Sequence, residues 1–317
     1  MIVTVTLNPS LDRTLEVETL TRGDVLRTSS PTIEAGGKGV NVTRALSANG
    51  IPSIAVLPVG GAEGAELGAL LQGAGVTARL VQVSGRTRSN ITIAEADGTV
   101  TKLNEPGSTI TEAELIALTD VIASAVTGGD WVVISGSVPP EFTATQLQAL
   151  AGSLSDRDVN LAIDTSGDAL VASMAAHPRL IKPNRAELAE IAGRSLDSIS
   201  DVIAAAKDVQ SRGVEIVLVS LGADGAVLVG PSAVVVGESR VGRPRSTVGA
   251  GDCFLAGFLS RFSADEMDAE SALLEALAWG AAAASLPGTS VPSPADLDYT
   301  NVQLVWQPDL DRPLVAS

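Results

Sequence analysis

Ser246-Thr-Val-Gly-Ala-Gly-Asp-Cys-Phe-Leu-Ala-Gly-Phe-Leu259 is a glycine turn that runs straight into a helical pattern. Phe254, Leu255, Phe258, Leu259 and Phe262 recur at helical spacing and share one face, so this helix packs on something large and apolar. Gly249, Ala250 and Gly251 form the turn. Its glycines let backbone N–H groups converge, and the helix start adds the positive end of a dipole. The result is an anion cradle. Asp252 then falls in the first helical turn, beside the anion. A carboxylate there is out of place in a pure anion site, although acids also favour helix starts for structural reasons alone. It makes chemical sense if it accepts a proton from an attacking hydroxyl, help that is typically worth about 10²–10⁴-fold in rate.

Outward from this turn, β-branched runs alternate with amphipathic stretches. Ile2–Thr6, Ile54–Val59, Trp131–Ser135, Val159–Ile163 and Glu215–Ser220 read as strands, several of them apolar on both faces. Val40–Asn49, Thr111–Val126, Thr143–Leu150, Asn184–Ala192 and Leu196–Arg212 read as helices, and Thr111 with Glu114 has the spacing of a capping box. This order predicts a doubly wound α/β fold, one domain over residues 1–317, with a mostly parallel sheet and helices on both faces. Two segments break the rhythm. Asp12–Glu34 and Arg86–Asn104 alternate at period two around turn signals at Arg22-Gly23-Asp24 and Ala96-Asp97-Gly98. They predict antiparallel strands outside the main sheet, a small lid over about 12–35 and 86–105. The tail beyond Pro287 reads as irregular.

Composition excludes several classes. With 37 Asp+Glu against 21 Lys+Arg, a net charge of −16 repels polyanions, so nucleic acid is not an expected partner. One cysteine, Cys253, permits no intrachain disulfide and suits a cytoplasmic location. One histidine, His177, argues against a histidine-based metal site. The start MIVTVTLNPS has no basic or long apolar leader, and no apolar run is long enough for a bilayer; no membrane association is expected. Neither a Walker A spacing nor a dinucleotide fingerprint after the first strand is present, which disfavours P-loop NTPases and nicotinamide-dependent oxidoreductases.

Ala35-Gly-Gly-Lys-Gly-Val-Asn-Val-Thr-Arg-Ala-Leu46 is a second glycine turn leading into a helix. Lys38 lies within it and suits an anion. Asn41, with Asp12, could hold polyol hydroxyls, and a solvated loop is the plain alternative. Arg27, Arg88 and Lys102 occur in the lid segments. In so acidic a chain, cations facing a cleft would clamp a phosphate; the plain alternative is a set of surface charges.

Five motifs together resemble the ribokinase-like, or PfkB-type, carbohydrate kinases over nearly the whole length. They are Thr6-Leu-Asn-Pro-Ser-Leu-Asp12, Gly36-Gly-Lys-Gly-Val-Asn41, Lys182-Pro-Asn-Arg-Ala-Glu187, Ser220-Leu-Gly-Ala-Asp-Gly225 and Thr247-Val-Gly-Ala-Gly-Asp252. The resemblance implies Asp252 as catalytic base and Gly249, Ala250 and Gly251 as anion hole. It implies Asp12, Gly37, Asn41, Asn90 and Ser137 around the sugar, and Lys38, Arg88, Lys102 and Arg27 around its phosphate. ATP would meet Lys182, Asn184, Ser220, Gly222, Ala223, Gly225, Ala281 and Ser285, and Asn184 with Glu187 would organise Mg²⁺ through water. The Lys38 turn and the Thr87–Asn90 and Asn104–Gly107 segments look like the 1-phosphofructokinase branch, with fructose 1-phosphate as the implied substrate. Tagatose-6-phosphate and fructose-6-phosphate kinases are the neighbouring readings, and a non-catalytic sugar-phosphate sensor is the reading from another class. The exposed edges of lid strands suit pairing with a second copy, so a homodimer through the lid is expected.

Overall fold

The computed structural model describes residues 1–28, 31–155, 157–242, 244–263 and 268–315. Residues 29 and 30 of the first lid segment lie outside the described residues. The first strands are β1 (Ile2–Val5), β2 (Ser10–Val17) and β3 (Thr32–Gly36), followed by α1 (Lys38–Ala48), β4 (Ser53–Val59), α2 (Gly61–Gly73) and β5 (Ala78–Gln82). A hairpin of β6 (Arg88–Glu95) and β7 (Val100–Asn104) precedes α3 (Glu112–Ala125), β8 (Trp131–Ser135), α4 (Ala144–Ser155) and β9 (Asn160–Asp164). Then come α5 (Gly167–Ser173), β10 (Leu180–Ile181), α6 (Arg185–Ala192), α7 (Ile199–Gln210), β11 (Ile216–Ser220), β12 (Ala226–Val229) and β13 (Val234–Ser239). The chain ends with α8 (Ala250–Phe262), α9 (Ala269–Ser285) and β14 (Val302–Leu304).

Ten strands form one sheet in the order β14-β13-β12-β11-β10-β9-β8-β1-β4-β5. From β11 to β5 all neighbours are parallel, and β12 to β14 add an antiparallel edge. β1 and β8 are buried at every position, as expected of strands covered on both faces. Alternate side chains feed two cores. Val3, Val5, Val132, Ile134, Leu161 and Ile163 pack with the helices α3 to α7. Ile2, Trp131, Val133 and Ala162 pack with α1, α8 and α9, where Phe254, Phe258 and Phe262 occupy the apolar face read from the sequence. Phe258 and Phe262 stack at 5.0 Å, and Trp131 meets Phe262 edge-on at 6.0 Å.

Sheet order sets the site. From β1 the chain winds one way through β4 and β5, and from β8 it winds the other way through β9, β10 and β11. The reversal lies between β1 and β8, where an open α/β sheet presents a crevice at its carboxyl ends. Those ends deliver Asn8, Gly136 and Ser137, Asp164, Lys182 and Ser220 side by side.

The lid is a four-stranded sheet, β3-β2-β6-β7. Two details differ from expectation. β2 and β6 run parallel, since they are joined through β3, α1, β4, α2 and β5 and not by a turn. Residues 18–28 and 31 form a loop, so Arg22-Gly23-Asp24 closes no tight hairpin, whereas Ala96-Asp97-Gly98 does join β6 to β7. The tail also departs from expectation, because Val302–Leu304 extends the main sheet by pairing with β13. Helix α2 was illegible for a simple reason. It carries Gly61, Gly64, Gly68 and Gly73, each costing about 1 kcal/mol of helix propensity. It forms because Leu67 and Leu71 pack on Leu11, Leu57 and Val59. No described helix is long and apolar enough to cross a membrane.

Candidate active site

Gly249 begins α8 at φ +79, the left-handed region that favours glycine, and turns the chain into the helix. The N–H groups of Ala250, Asp252 and Cys253 fold back onto Thr247 and Gly249 carbonyls. The N–H of Gly251 donates to no acceptor among the described residues. A Cβ placed on Gly251 would stand 3.6 Å from the Lys182 ammonium. The cradle and that cation therefore share one small space.

Asp252 is 6 % exposed and accepts a 2.8 Å hydrogen bond from Asn41 Nδ2 on its Oδ2. Its other oxygen has no hydrogen bond among the described residues. Burial and the negative charge of Asp164 push its pKa up to about 7, while Asn41, Lys38 and Lys182 pull against them. The carboxylate is thus poised near neutrality, where a general base works best. Its neighbour Cys253 is buried, and its thiol is pushed up to about 12 by burial first and the Asp252 charge second. It stays protonated and is a core residue.

Asp164, fully buried at the end of β9, is the hub on the other side. Its Oδ1 accepts from Lys38 Nζ at 3.0 Å and lies 3.3 Å from Lys182 Nζ; Ser135 Oγ approaches Oδ2 at 3.4 Å. Lys38 also lies 3.9 Å from Glu187 Oε1. Burial alone would lower the Lys38 pKa, but Asp164, Glu187 and Asp252 outweigh it and hold the ammonium above its usual value. Lys38 therefore takes its carboxylate partners from the end of β9 and the first turn of α6. It approaches the Arg88 group only indirectly, through Gly136, whose Cβ position would lie 3.6 Å from Lys38 Cβ, and the adjoining Ser137.

Asn184 and Glu187 form a capping box at the start of α6. Asn184 Oδ1 accepts from the Glu187 N–H at 2.9 Å, and Glu187 Oε2 accepts from the Asn184 N–H at 2.8 Å. This leaves Glu187 Oε1 free of the cap. No group of three His, Cys, Asp or Glu suited to a metal occurs among the described residues. Among the described residues, Glu187 Oε1 is shared only with the Lys38 ammonium at 3.9 Å, and a single carboxylate oxygen suits Mg²⁺, which keeps most of its waters and borrows few protein ligands.

On the lid side, Gly37 has φ +123, and a Cβ there would press on Thr6 Cγ2 at 2.7 Å, so only glycine lets β3 turn into α1 here. Asp12 Oδ1 accepts from Ser10 Oγ at 2.7 Å and Asn90 Nδ2 at 2.9 Å. Asn90 Oδ1 is buried and unpartnered, an acceptor aimed at no protein group. Arg88 donates to the Asn8 and Glu105 carbonyls and to Ser137 Oγ, at 3.2–3.3 Å. Burial lowers its pKa and Asp12 offsets part of that. Lys102 pairs across from Thr92, in register with Asn90 opposite Asn104, so all four project from one lid face. Lys102 and Arg27 are exposed, Arg27 in the loop between β2 and β3. The outer edge of β7 carries exposed Val100 and Leu103.

The proposed nucleotide side is also contiguous. Ser220 bridges Asn184, and Gly222–Asp224 forms a short helical turn with Ala223 exposed. Gly225 follows, close under the Gly237 carbonyl. The loop before α8 docks on the end of α9 through Arg245 and Ser246 N–H bonds to the Ala284 carbonyl. Ala281 is half-buried there, and Ser285 Oγ returns a 3.0 Å bond to the Ala281 carbonyl. Three residues escaped sequence reasoning: Asn8, Glu34 and Arg44. Arg44 alone had a usable signal, its position three after Asn41 on one helix face.

The pfkB family carbohydrate kinases match residues 5–296 of the chain. A 1-phosphofructokinase of Bacillus subtilis is 35% identical over 263 residues, 83% of this chain and 86% of that protein. A 1-phosphofructokinase of Rhodobacter capsulatus is 37% identical over 299 residues, 93% and 94% of the two chains. The crystal structure of phosphofructokinase-2 from Escherichia coli in complex with fructose-6-phosphate superposes with a TM-score of 0.85 at 31% identity, covering 93% of this chain and 96% of that one.

Proposed function

The chain belongs to the pfkB family of carbohydrate kinases, and from that premise we propose that it transfers the terminal phosphoryl group of ATP to the C6 hydroxyl of fructose 1-phosphate. The observation that carries the chemistry is the Asp252 carboxylate at the mouth of the Gly249–Gly251 cradle, with the Lys182 ammonium against the same turn. Asp252 accepts the C6 hydroxyl proton. The C6 oxygen bonds to the terminal phosphorus, the bond from that phosphorus to its bridging oxygen breaks, and fructose 1,6-bisphosphate and ADP result. The Gly251 N–H, Lys182 and Lys38 stabilise charge on the transferring group, so catalysis is mainly positioning and electrostatics. Mg²⁺ beside Glu187 and Asn184 would neutralise the nucleotide phosphates. Asp12, Asn41 and Asn90 hold the sugar hydroxyls. Arg88 and Lys102 hold the phosphate already on the sugar.

The names of the Bacillus and Rhodobacter relatives support fructose 1-phosphate. The fructose-6-phosphate bound to the Escherichia enzyme supports the second reading, a fructose-6-phosphate kinase. Purified protein with ATP and Mg²⁺ should release ADP with fructose 1-phosphate at a kcat/KM at least about tenfold above that for fructose 6-phosphate or tagatose 6-phosphate. A higher value with either competitor would transfer the assignment to it. No ADP release with any sugar phosphate would end the kinase reading.

A further inference from the structure

Asn41 touches two charged groups with opposite ends of its amide. Its Nδ2 donates to Asp252 Oδ2 at 2.8 Å, and its Oδ1 accepts from Arg44 Nη1 at 3.3 Å. A guanidinium can only donate, so the atom facing Arg44 must be the amide oxygen. The atom facing Asp252 is then the amide nitrogen, which can only donate. Arg44 therefore decides which end of Asn41 meets the carboxylate.

Arg44 is itself tightly held. Nη1 also donates to the Thr289 carbonyl at 3.3 Å, and Nη2 to Glu34 Oε1 at 3.3 Å. Glu34 Oε2 accepts from Thr289 Oγ1 at 2.7 Å, which closes a ring. Its members come from the lid strand β3, from α1 and from the loop beyond α9. The Arg44 side chain is 16 % exposed and that of Glu34 25 %, so water screens this pair weakly. Among the described residues, none of Arg44, Glu34 and Thr289 has a hydrogen bond or ion pair to Asp252, Lys38 or Lys182.

We propose that Arg44 is a positioning residue for the reaction, fixing the Asn41 amide so that Asp252 always meets a donor and is kept in the ionised form that can take a proton. This rests on the assignment of Asp252 as the base. An amide released by Arg44 can also turn its oxygen toward Asp252, and that oxygen pairs only with the protonated acid. The other groups facing Asp252 are Asp164 at the end of β9, Lys182 after β10, Lys38 at the start of α1, and Cys253 on its own helix. Of these only Cys253 also feels the Arg44 charge, so Asp164, Lys182 and Lys38 keep their own partners when Arg44 is replaced.

The test compares the pH dependence of kcat for wild type, Arg44→Met and Arg44→Lys, with Asp252→Asn as reference. Arg44→Met should move the acid limb upward by about one pH unit, the scale of one hydrogen bond to a charged group. Its kcat at pH 7 should fall about fivefold, with KM for ATP changed less than about twofold. Arg44→Lys keeps the charge but has no fork to span Asn41, Thr289 and Glu34, so the same displacement is expected. Should Arg44→Met fail to fold, Glu34→Gln loosens the fork and should give a smaller displacement in the same direction. Superimposable profiles for wild type and the Arg44 variants, with Asp252→Asn inactive, would overturn the positioning role alone. A wild-type profile in Arg44→Lys with a shifted Arg44→Met would assign the effect to through-space charge and also overturn it. An active Asp252→Asn would remove the base, and this proposal with it.

Discussion

Two carboxylates, Asp252 and Asp12, sit in opposite surroundings. Asp252 lies in a buried centre where Asn41, Lys38, Lys182 and Asp164 are already joined to one another or to it. Asp12 lies on the lid, bonded to two small neutral groups, with exposed Lys102 and Arg27 on the same small domain. The centre is held together by its own hydrogen bonds and ion pairs. The lid cations Lys102 and Arg27 stand exposed to solvent. A kinase needs this division. Charge that develops during transfer is best met by groups that need not reorganise, while the substrate must enter and leave.

The largest effect should come from the centre. Asp252→Asn should lower kcat by about 10²–10⁴-fold with folding retained, measured by ADP release and circular dichroism. Near wild-type turnover would erase the distinction between the two regions. Next, Asp164→Ala should cost about 3–5 kcal/mol in urea unfolding. It strands Lys182, only 4 % exposed, without its carboxylate. A loss under about 1 kcal/mol would mean that the centre is not preassembled by charge pairing. The smallest effect belongs to the lid. Lys102→Ala should raise KM for the sugar phosphate about fivefold, the size of one exposed charged contact, and leave KM for ATP and the unfolding midpoint unchanged. A change in KM for ATP instead would place Lys102 on the nucleotide.

Much of this was legible where its cause is local. The Gly249–Asp252 turn, the Thr111–Glu114 box and the helix at Asn184 depend on residues within four positions of one another. The parallel strands were legible because burial on both faces leaves an unbroken apolar run. The lid strands were legible from their alternation, but the parallel pairing of β2 with β6 was not, since no turn joins them. Helix α2 was hidden because its glycines oppose the helix that its leucines demand. Lys38 could be recognised as an anion-binding cation, but its ion pairs with Asp164 and Glu187 could not.

The sequence by itself determined the chemistry available: a glycine-built anion cradle, a carboxylate beside it, and a few cations in an acidic chain. Only the tertiary structure decided who meets whom. Asn41 and Asp252 are 211 residues apart, and Lys38 and Asp164 are 126 apart. They meet because the strand order reverses between β1 and β8 and brings those strand ends to one edge. Spacing along a chain governs contacts within a helix or a turn. Contacts between elements follow from how the sheet is wound, and no local pattern encodes that.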